Sequence, residues 1–272
     1  MNRELRVTRR NARFQQWQAL LSNRTKRQRA GEFIVQGVRP ITLAVEHGWT
    51  IRALIHDDAR KLSTWAAGIL DRAPEAQRVA MAPDLLAELG GKTEDVPELL
   101  AVVALPPDDL TRIPTDPSFL AVVFDRPTSP GNIGTLIRSA DAFGAHGVII
   151  TGHAADPYDP KAVRASTGSL FAVPTVRARS HREVLRRLDD LRADGLPITV
   201  VGTDEHGAVD IADHDLTGPT LLVVGNETSG LSAGWRESCD VTVRIPITGS
   251  ASSLNAASAA TVALYETARQ RA

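Results

Sequence analysis

Thr220-Leu221-Leu222-Val223-Val224 runs directly into Gly225-Asn226-Glu227-Thr228-Ser229-Gly230-Leu231. Val241-Thr242-Val243-Arg244-Ile245-Pro246 then leads into Ile247-Thr248-Gly249-Ser250-Ala251-Ser252-Ser253-Leu254-Asn255. A short apolar run that stops at Gly, Ser and Asn reads as a buried strand emptying into a loop, not as one arm of a hairpin. Strands of this kind build an open α/β sheet whose ligand loops lie along one edge. An earlier segment has the same form. Leu120-Ala121-Val122-Val123-Phe124-Asp125 feeds Arg126-Pro127-Thr128-Ser129-Pro130-Gly131-Asn132-Ile133-Gly134 and a helical pattern that carries Arg138.

Outward from these loops, strands are expected at 120–124, 147–151, 198–201, 220–224 and 241–245. Helical patterns lie at 133–142, 161–167, 181–193 and 256–270. Near-continuous Val/Ile/Leu strands separated by helices predict a parallel sheet covered on both faces. Upstream, strands at 33–35, 51–55, 79–81 and 99–105, with helices at 38–46 and 61–70, predict a smaller α/β domain. The proline- and acid-rich residues between them read as a linker. The expected division is 1–106, a linker at 107–118, and 119–272.

A hydrophobic content of 43% and a charged content of 23% belong to a folded globular chain. The longest apolar runs, such as 99–105, are far shorter than the roughly 20 residues that span a bilayer. Residues 1–10 are polar and Arg-rich, without the apolar centre of a secretory signal. The single Cys239 excludes an internal disulfide and a Cys-rich zinc site, and no metal-ligand cluster is visible. A cytoplasmic protein without metal is expected. The net charge of −1 hides an uneven distribution. Arg3, Arg6, Arg9, Arg10, Arg13, Arg24, Lys26, Arg27 and Arg29 precede Gly31 against the single acid Glu4. Such a cluster is either a solvated helix face or an electrostatic footprint for phosphate.

The three loop segments resemble, in order and wording, the motifs of the SpoU/TrmH ribose 2′-O-methyltransferases of the SPOUT class. These are Asn-x-Gly-x-x-x-Arg (Asn132 to Arg138), Gly-Asn-Glu-x-x-Gly-Leu (Gly225 to Leu231), and Ile-Pro with Ser-Leu-Asn (Ile245-Pro246, Ser253-Leu254-Asn255). One such motif is weak; three in order are specific. Asn11-Ala12-Arg13-Phe14-Gln15-Gln16-Trp17 and Phe124-Asp125-Arg126-Pro127-Thr128-Ser129-Pro130 add a likeness to the actinomycete branch that methylates 23S rRNA in avilamycin resistance. The resemblance implies S-adenosylmethionine as donor, a uridine ribose in 23S rRNA as acceptor, and resistance to an orthosomycin antibiotic. It also implies a homodimer, a C-terminal trefoil knot, and an N-terminal RNA-binding domain like ribosomal protein L30. Housekeeping methylation of tRNA or rRNA, or RNA binding without catalysis, would use the same fold. A nicotinamide dehydrogenase would need Gly-x-Gly-x-x-Gly in a βαβ unit, and the glycine spacings here lack it.

A ribose 2′-hydroxyl is a poor nucleophile, so the enzyme must align it with the donor methyl and stabilise the charge that develops. The resemblance gives the catalytic role to Arg138. A guanidinium keeps its proton at ordinary pH, so a planar fork on the adjacent phosphate is physically easier than a base. The bland alternative is a surface arginine pairing with Asp141. Glu227 is either an acid at a helix start or, with Asn132, an organiser of the site. Ser253 is expected to cap the last helix, with Asn255 just inside it, and the resemblance places both beside donor and ribose. Gly225, Asn226, Ile245 and Leu254 are implied to hold the donor largely by backbone groups. Gly202 and Thr203, in a loop expected after strand 198–201, are expected to flank the adenine. Arg24, Lys26, Arg27 and Arg29 are expected to grip the RNA.

Overall fold

The computed structural model describes residues 4–91 and 96–272. Arg3 of the basic cluster lies outside them. The chain separates into two compact units, Met1–Pro106 with Tyr158–Ala172, and Pro107–Pro157 with Val173–Ala272.

The first unit contains β1 (Leu5–Val7), α1 (Ala12–Ser22), α2 (Arg24–Ala30), β2 (Glu32–Gln36), α3 (Val38–Glu46), β3 (Ile51–Asp57), α4 (Thr64–Arg72), β4 (Gln77–Met81), α5 (Pro83–Gly90) and β5 (Leu99–Ala104). It also takes in α7 (Pro160–Ser166) and α8 (Ser169–Ala172) from the middle of the chain. Its five-stranded sheet has the order β1-β4-β3-β5-β2, with β5 antiparallel to both β2 and β3. The basic stretch folds into two capped helices. The Oδ1 of Asn11 accepts from the N–H of Phe14 at 3.0 Å and that of Asn23 from Lys26 at 3.0 Å, each satisfying an orphan donor of a helix start. Phe14, Trp17 and Leu20 supply the buried stripe of α1. With four large apolar residues, Phe14, Trp17, Leu20 and Leu21, set among Gln and Arg, that helix has a low mean hydropathy and was not read from the sequence.

The second unit is built on β6 (Leu120–Asp125), α6 (Pro130–Ala142), β7 (Gly147–Thr151), β8 (Thr175–Ala178), α9 (His181–Ala193), β9 (Thr199–Thr203), β10 (Val209–Asp210), β11 (Thr220–Val224), α10 (Ala233–Ser238), β12 (Val241–Arg244) and α11 (Ala256–Gln270). Its seven strands are all parallel, in the order β10-β12-β9-β11-β6-β7-β8. Every residue of β6, β7 and β11 is buried, as a sheet covered on both faces requires. The order reverses at β6 and β11, so the loops leaving these neighbouring strands diverge from a topological switch point. One face of the sheet packs on α9 through Val184, Leu188 and Leu191. Helices α6 and α11 pack together, with a hydrogen bond of 2.7 Å between the hydroxyls of Ser139 and Thr261.

Two sequence expectations differ from this architecture. Residues 158–172, read within the second domain, cluster with the first unit, where Tyr158 and Phe171 pack on Phe33 with ring centroids 5.0 and 6.3 Å away. Strand β9 reaches Thr203, so Gly202 and Thr203 are strand residues and not loop. No helix of the described residues is long and apolar enough to cross a membrane.

Candidate active site

The site is assembled at the ends of β6, β11 and β12. Asp125 closes β6 and is buried; its carboxylate accepts from Thr151 Oγ1 (3.0 Å), Ser232 N (2.9 Å) and Arg126 Nε (3.0 Å). Beyond it, Ser129 caps α6, its Oγ accepting from Asn132 N at 3.3 Å, and Pro130 occupies the first turn, where a missing N–H costs nothing.

After β11 the chain closes on itself. Asn226 and Gly230 exchange both backbone hydrogen bonds, at 2.9 and 3.0 Å, while Asn226 Oδ1 accepts from the N–H groups of Thr228 (2.9 Å) and Ser229 (3.0 Å). A Cβ on Gly225 would strike the backbone of Gly230 and Leu231. That glycine is demanded by the closing of the loop, rather than by ligand approach as its sequence position suggested.

The loop presents Glu227 to the start of α6. Its carboxylate accepts from Thr128 N (3.0 Å), Thr128 Oγ1 (3.1 Å), Ser129 N (3.3 Å) and Asn132 Nδ2 (3.0 Å). Burial pushes this carboxyl up, but the hydrogen bonds from Asn132, Thr128 and Ser129 outweigh it and hold it below the ordinary carboxylate range. The two readings of Glu227 therefore merge: it is an acid at a helix start, and it joins two motifs. Asn132 Oδ1 in turn accepts from Asn255 Nδ2 at 3.2 Å, which brings in the third.

A cavity of about 290 Å³ opens beside this network, within the second unit. It is bordered by residues 203–206, by 224–230, and by Ile245, Ile247, Ser253 and Leu254. Its size is at the lower end of what small-molecule sites occupy. Ile247 and Leu254, 37% and 40% exposed, offer apolar surface at its rim. Arg236, with Nη2 3.4 Å from Asp204 Oδ2, supplies charge at the same cavity.

Residues 119–265 match the SpoU rRNA Methylase family, and residues 11–101 match the SpoU L30e-like domain. The chain belongs to the SpoU rRNA methylase family. It is 64% identical over 266 residues to the 23S rRNA (uridine(2479)-2′-O)-methyltransferase of Streptomyces viridochromogenes, covering 98% of this chain and 92% of that one. The crystal structure of the SpoU methyltransferase AviRb from the same organism, in complex with AdoMet, superposes with a TM-score of 0.92 at 64% identity, over 96% of this chain and 98% of that one. The AdoMet-bound rRNA methyltransferase from Sinorhizobium meliloti gives a TM-score of 0.84 at 29% identity, over 97% of each chain.

Of the SpoU site residues expected from sequence, the structure brings together Asn132, Glu227 and Asn255 by hydrogen bonds. It sets Thr203, Gly225, Asn226, Glu227, Ile245, Ser253 and Leu254 around the cavity. Gly202 does not join them. It is buried in β9, and a Cβ there would lie 2.7 Å from Cys239 Sγ and 2.9 Å from Leu231 Cδ1, so that glycine serves core packing. Burial and the nearby Asp240 push the Cys239 thiol up to about 12, which fits a packing role.

Arg138 is exposed on α6, outside the cavity lining, and makes no hydrogen bond or ion pair with any described residue, Asp141 included. The last helix is capped by Asn255 and not Ser253: its Oδ1 accepts from Ala257 N (3.0 Å) and Ser258 N (3.3 Å), leaving Ser253 exposed at the cavity. Among the basic residues, Arg24, Lys26 and Arg29 are exposed but Arg27 is not. Only 2% exposed, Arg27 donates to Leu20 O at 2.7 Å and pairs with Asp159 at 3.5 Å, so it belongs to the interior of the first unit.

Sequence reading did not assign Asp125, Arg126, Thr128 or Arg236 to the site, and reached Asp204 only as part of the 202–207 loop expected to flank the adenine. The Asp-Arg pair at the end of a buried strand was a usable signal for the first two. Asp204 and Arg236 come together only through the sheet order. Among the described residues no group of three or more His, Cys, Asp or Glu is placed to hold a metal.

Proposed function

We propose that this SpoU protein transfers a methyl group from S-adenosylmethionine to the 2′-oxygen of a uridine ribose in 23S rRNA, and that this methylation confers orthosomycin resistance in the cytoplasm. The observation that carries the reading is the hydrogen-bond network in which the three motifs meet, Glu227 tied to Asn132 and Asn132 to Asn255, beside a cavity lined by the second and third motifs. S-adenosylmethionine supplies a methyl group already activated by a positive sulfur. Gly225, Asn226, Ile245, Leu254 and Thr203 would hold it, with the rim apolar residues covering its base. Asn132, Glu227, Ser253 and Asn255 fix the loops against which the ribose is aligned.

Arg138, charged and unengaged, would grip the phosphate beside the ribose and stabilise the charge developing on the 2′-oxygen. Its exposure, with Val262 and Tyr265 of α11 exposed at 37% and 55%, supports a homodimer formed across α6 and α11. A C-terminal segment threaded as the family's knot belongs to the same reading. Arg24, Lys26 and Arg29 would meet rRNA phosphates in the 1–106 domain.

The test is transfer of labelled methyl groups to unmodified 23S rRNA, 16S rRNA and tRNA, with mapping of the modified nucleotide. One 2′-O-methylated 23S uridine is expected. Arg138→Ala should lower transfer by about a hundredfold or more, the scale of losing one developing-charge donor, with donor affinity unchanged. Label confined to tRNA or 16S rRNA would discard the 23S assignment, and loss of donor binding in Arg138→Ala would discard the role of Arg138.

A further inference from the structure

We propose that Arg126 is a positioning residue for methyl transfer, acting from behind the cavity to lock the 225–230 loop and the start of α6 into one frame. The inference rests on reading that cavity as the donor site.

Arg126 stands directly after β6 with φ +52, one of two non-glycine residues in the left-handed region among those described. An L-residue with a long side chain adopts that conformation only against steric cost, so surrounding contacts must hold it there. The Arg126 N–H donates to Thr151 O at 3.0 Å, and two further contacts lead to the loop. The backbone carbonyl of Arg126, turned by the left-handed conformation, accepts from Asn226 Nδ2 at 2.7 Å. Its guanidinium donates through Nη2 to Gly230 O at 3.0 Å and through Nε to Asp125 Oδ2 at 3.0 Å. Asn226 and Gly230 are the two residues whose mutual backbone hydrogen bonds close the loop, so Arg126 clasps the loop at both sides of its neck.

The same loop is held at its tip by Glu227 against Thr128, Ser129 and Asn132, and beyond its neck by Asp125 accepting from Ser232 N. Residues 125–132 therefore form a rail to which the loop is fixed along its length, and Arg126 is the part of the rail that reaches the neck. Space for it is built in. Gly152 has φ +70, and a Cβ there would lie 2.8 Å from Arg126 Cγ. Arg126 does not line the cavity, whereas Asn226 and Gly230 do. Its action on a ligand must pass through them. A planar fork can span a carboxylate and a carbonyl at once, which an ammonium cannot do with the same geometry. Removing the side chain still leaves Asp125 with Thr151 and Ser232 as partners, so the buried carboxylate is not stranded.

The test uses the full chain, S-adenosylmethionine and unmodified 23S rRNA, comparing wild type with Arg126→Gly and Arg126→Lys. Glycine accepts the left-handed backbone, keeps the carbonyl that Asn226 uses, and removes the guanidinium's bonds to Gly230 O and Asp125. The expected result for Arg126→Gly is donor affinity and kcat each lowered about tenfold, with rRNA affinity within about twofold of wild type and a melting temperature close to it, the pattern of lost positioning rather than lost fold. Arg126→Lys, which keeps a cation for Asp125, should fall between the two. Donor affinity and kcat of Arg126→Gly within about twofold of wild type would overturn the proposal. So would full rescue by lysine, since any cation would then suffice. A wild type that binds rRNA but not S-adenosylmethionine would instead remove the donor-site reading, and this inference with it.

Discussion

Glu227→Ala removes the acceptor on which five donors converge: Thr128 N, Thr128 Oγ1, Ser129 N, Asn132 Nδ2 and Asn226 Nδ2, at 3.0–3.4 Å. Hydrogen bonds to a charged group contribute about 1.5–3 kcal/mol each when buried. This carboxylate is only partly buried, so water reaches the freed donors and the network's contribution is well below the sum. A loss of about 3 kcal/mol follows, shared between stability and alignment. If all of it were lost from the transition state, transfer would fall by about a hundredfold. If all of it were lost from the fold, the catalytic unit would melt roughly 6–12 °C lower. Glu227→Gln keeps one acceptor oxygen for Thr128 but turns an amide NH₂ towards donors, so it should fall between alanine and wild type. The assay is initial-rate methyl transfer to 23S rRNA, together with a thermal melt of each variant. Alanine at 227 with more than about a third of wild-type activity and a melt shifted by less than about 1 °C would refute the reasoning, because no partition of 3 kcal/mol allows both.

Gly225→Ala should abolish donor binding by forcing a methyl into the Gly230–Leu231 backbone, a clash no side-chain rotation relieves; donor titration of a folded variant reads it. Charge reversal of Arg24, Lys26 and Arg29 should weaken rRNA binding and flatten its dependence on log salt by roughly 0.7–0.9 per lost phosphate contact. Arg27→Ala should leave that slope unchanged but destabilise the first unit by about 2–3 kcal/mol, since it empties a buried site and loses the bond to Leu20 O and the pair with Asp159, whose carboxylate still caps α7 through Lys161 N. The Glu227 carboxyl is held below its ordinary value in the fold, so its contribution is complete above the unfolded value of about 4.3 and is lost as pH falls through the lower folded one. The stability of the catalytic unit owed to Glu227 should therefore be flat through neutral pH and fall only once the pH drops below the ordinary carboxylate value, with Glu227→Gln lacking that acid limb; a thermal melt against pH reads it, and a Glu227-dependent decline between about pH 7 and 5 would contradict this.

The sequence by itself determined the class of the fold and the contents of its loops. Runs such as 220–224 and 120–125 are too short for buried helices and are rich in Val, so they read as strands of a sheet covered on both faces. Each motif is contiguous, so its residue types are legible without knowledge of what it faces. What they face was decided only by the tertiary structure. That Glu227 serves Asn132 follows from β11 pairing with β6 in register, Val224 opposite Phe124, which sets the two loops side by side. That Asn255 rather than Ser253 caps α11 depends on where the chain leaves the cavity edge. Arg27 carried the same letter as its exposed neighbours and differs from them because its pairing residue, Asp159, arrives on an inserted helix from far along the chain. Gly202 and Gly225 read alike as ligand glycines, and the space each lacks is filled by the protein itself: Cys239 and Leu231 at the one, the Gly230–Leu231 backbone at the other. Local sequence sets which groups are offered; burial, pairing and steric exclusion are properties of the neighbours that the sheet order supplies.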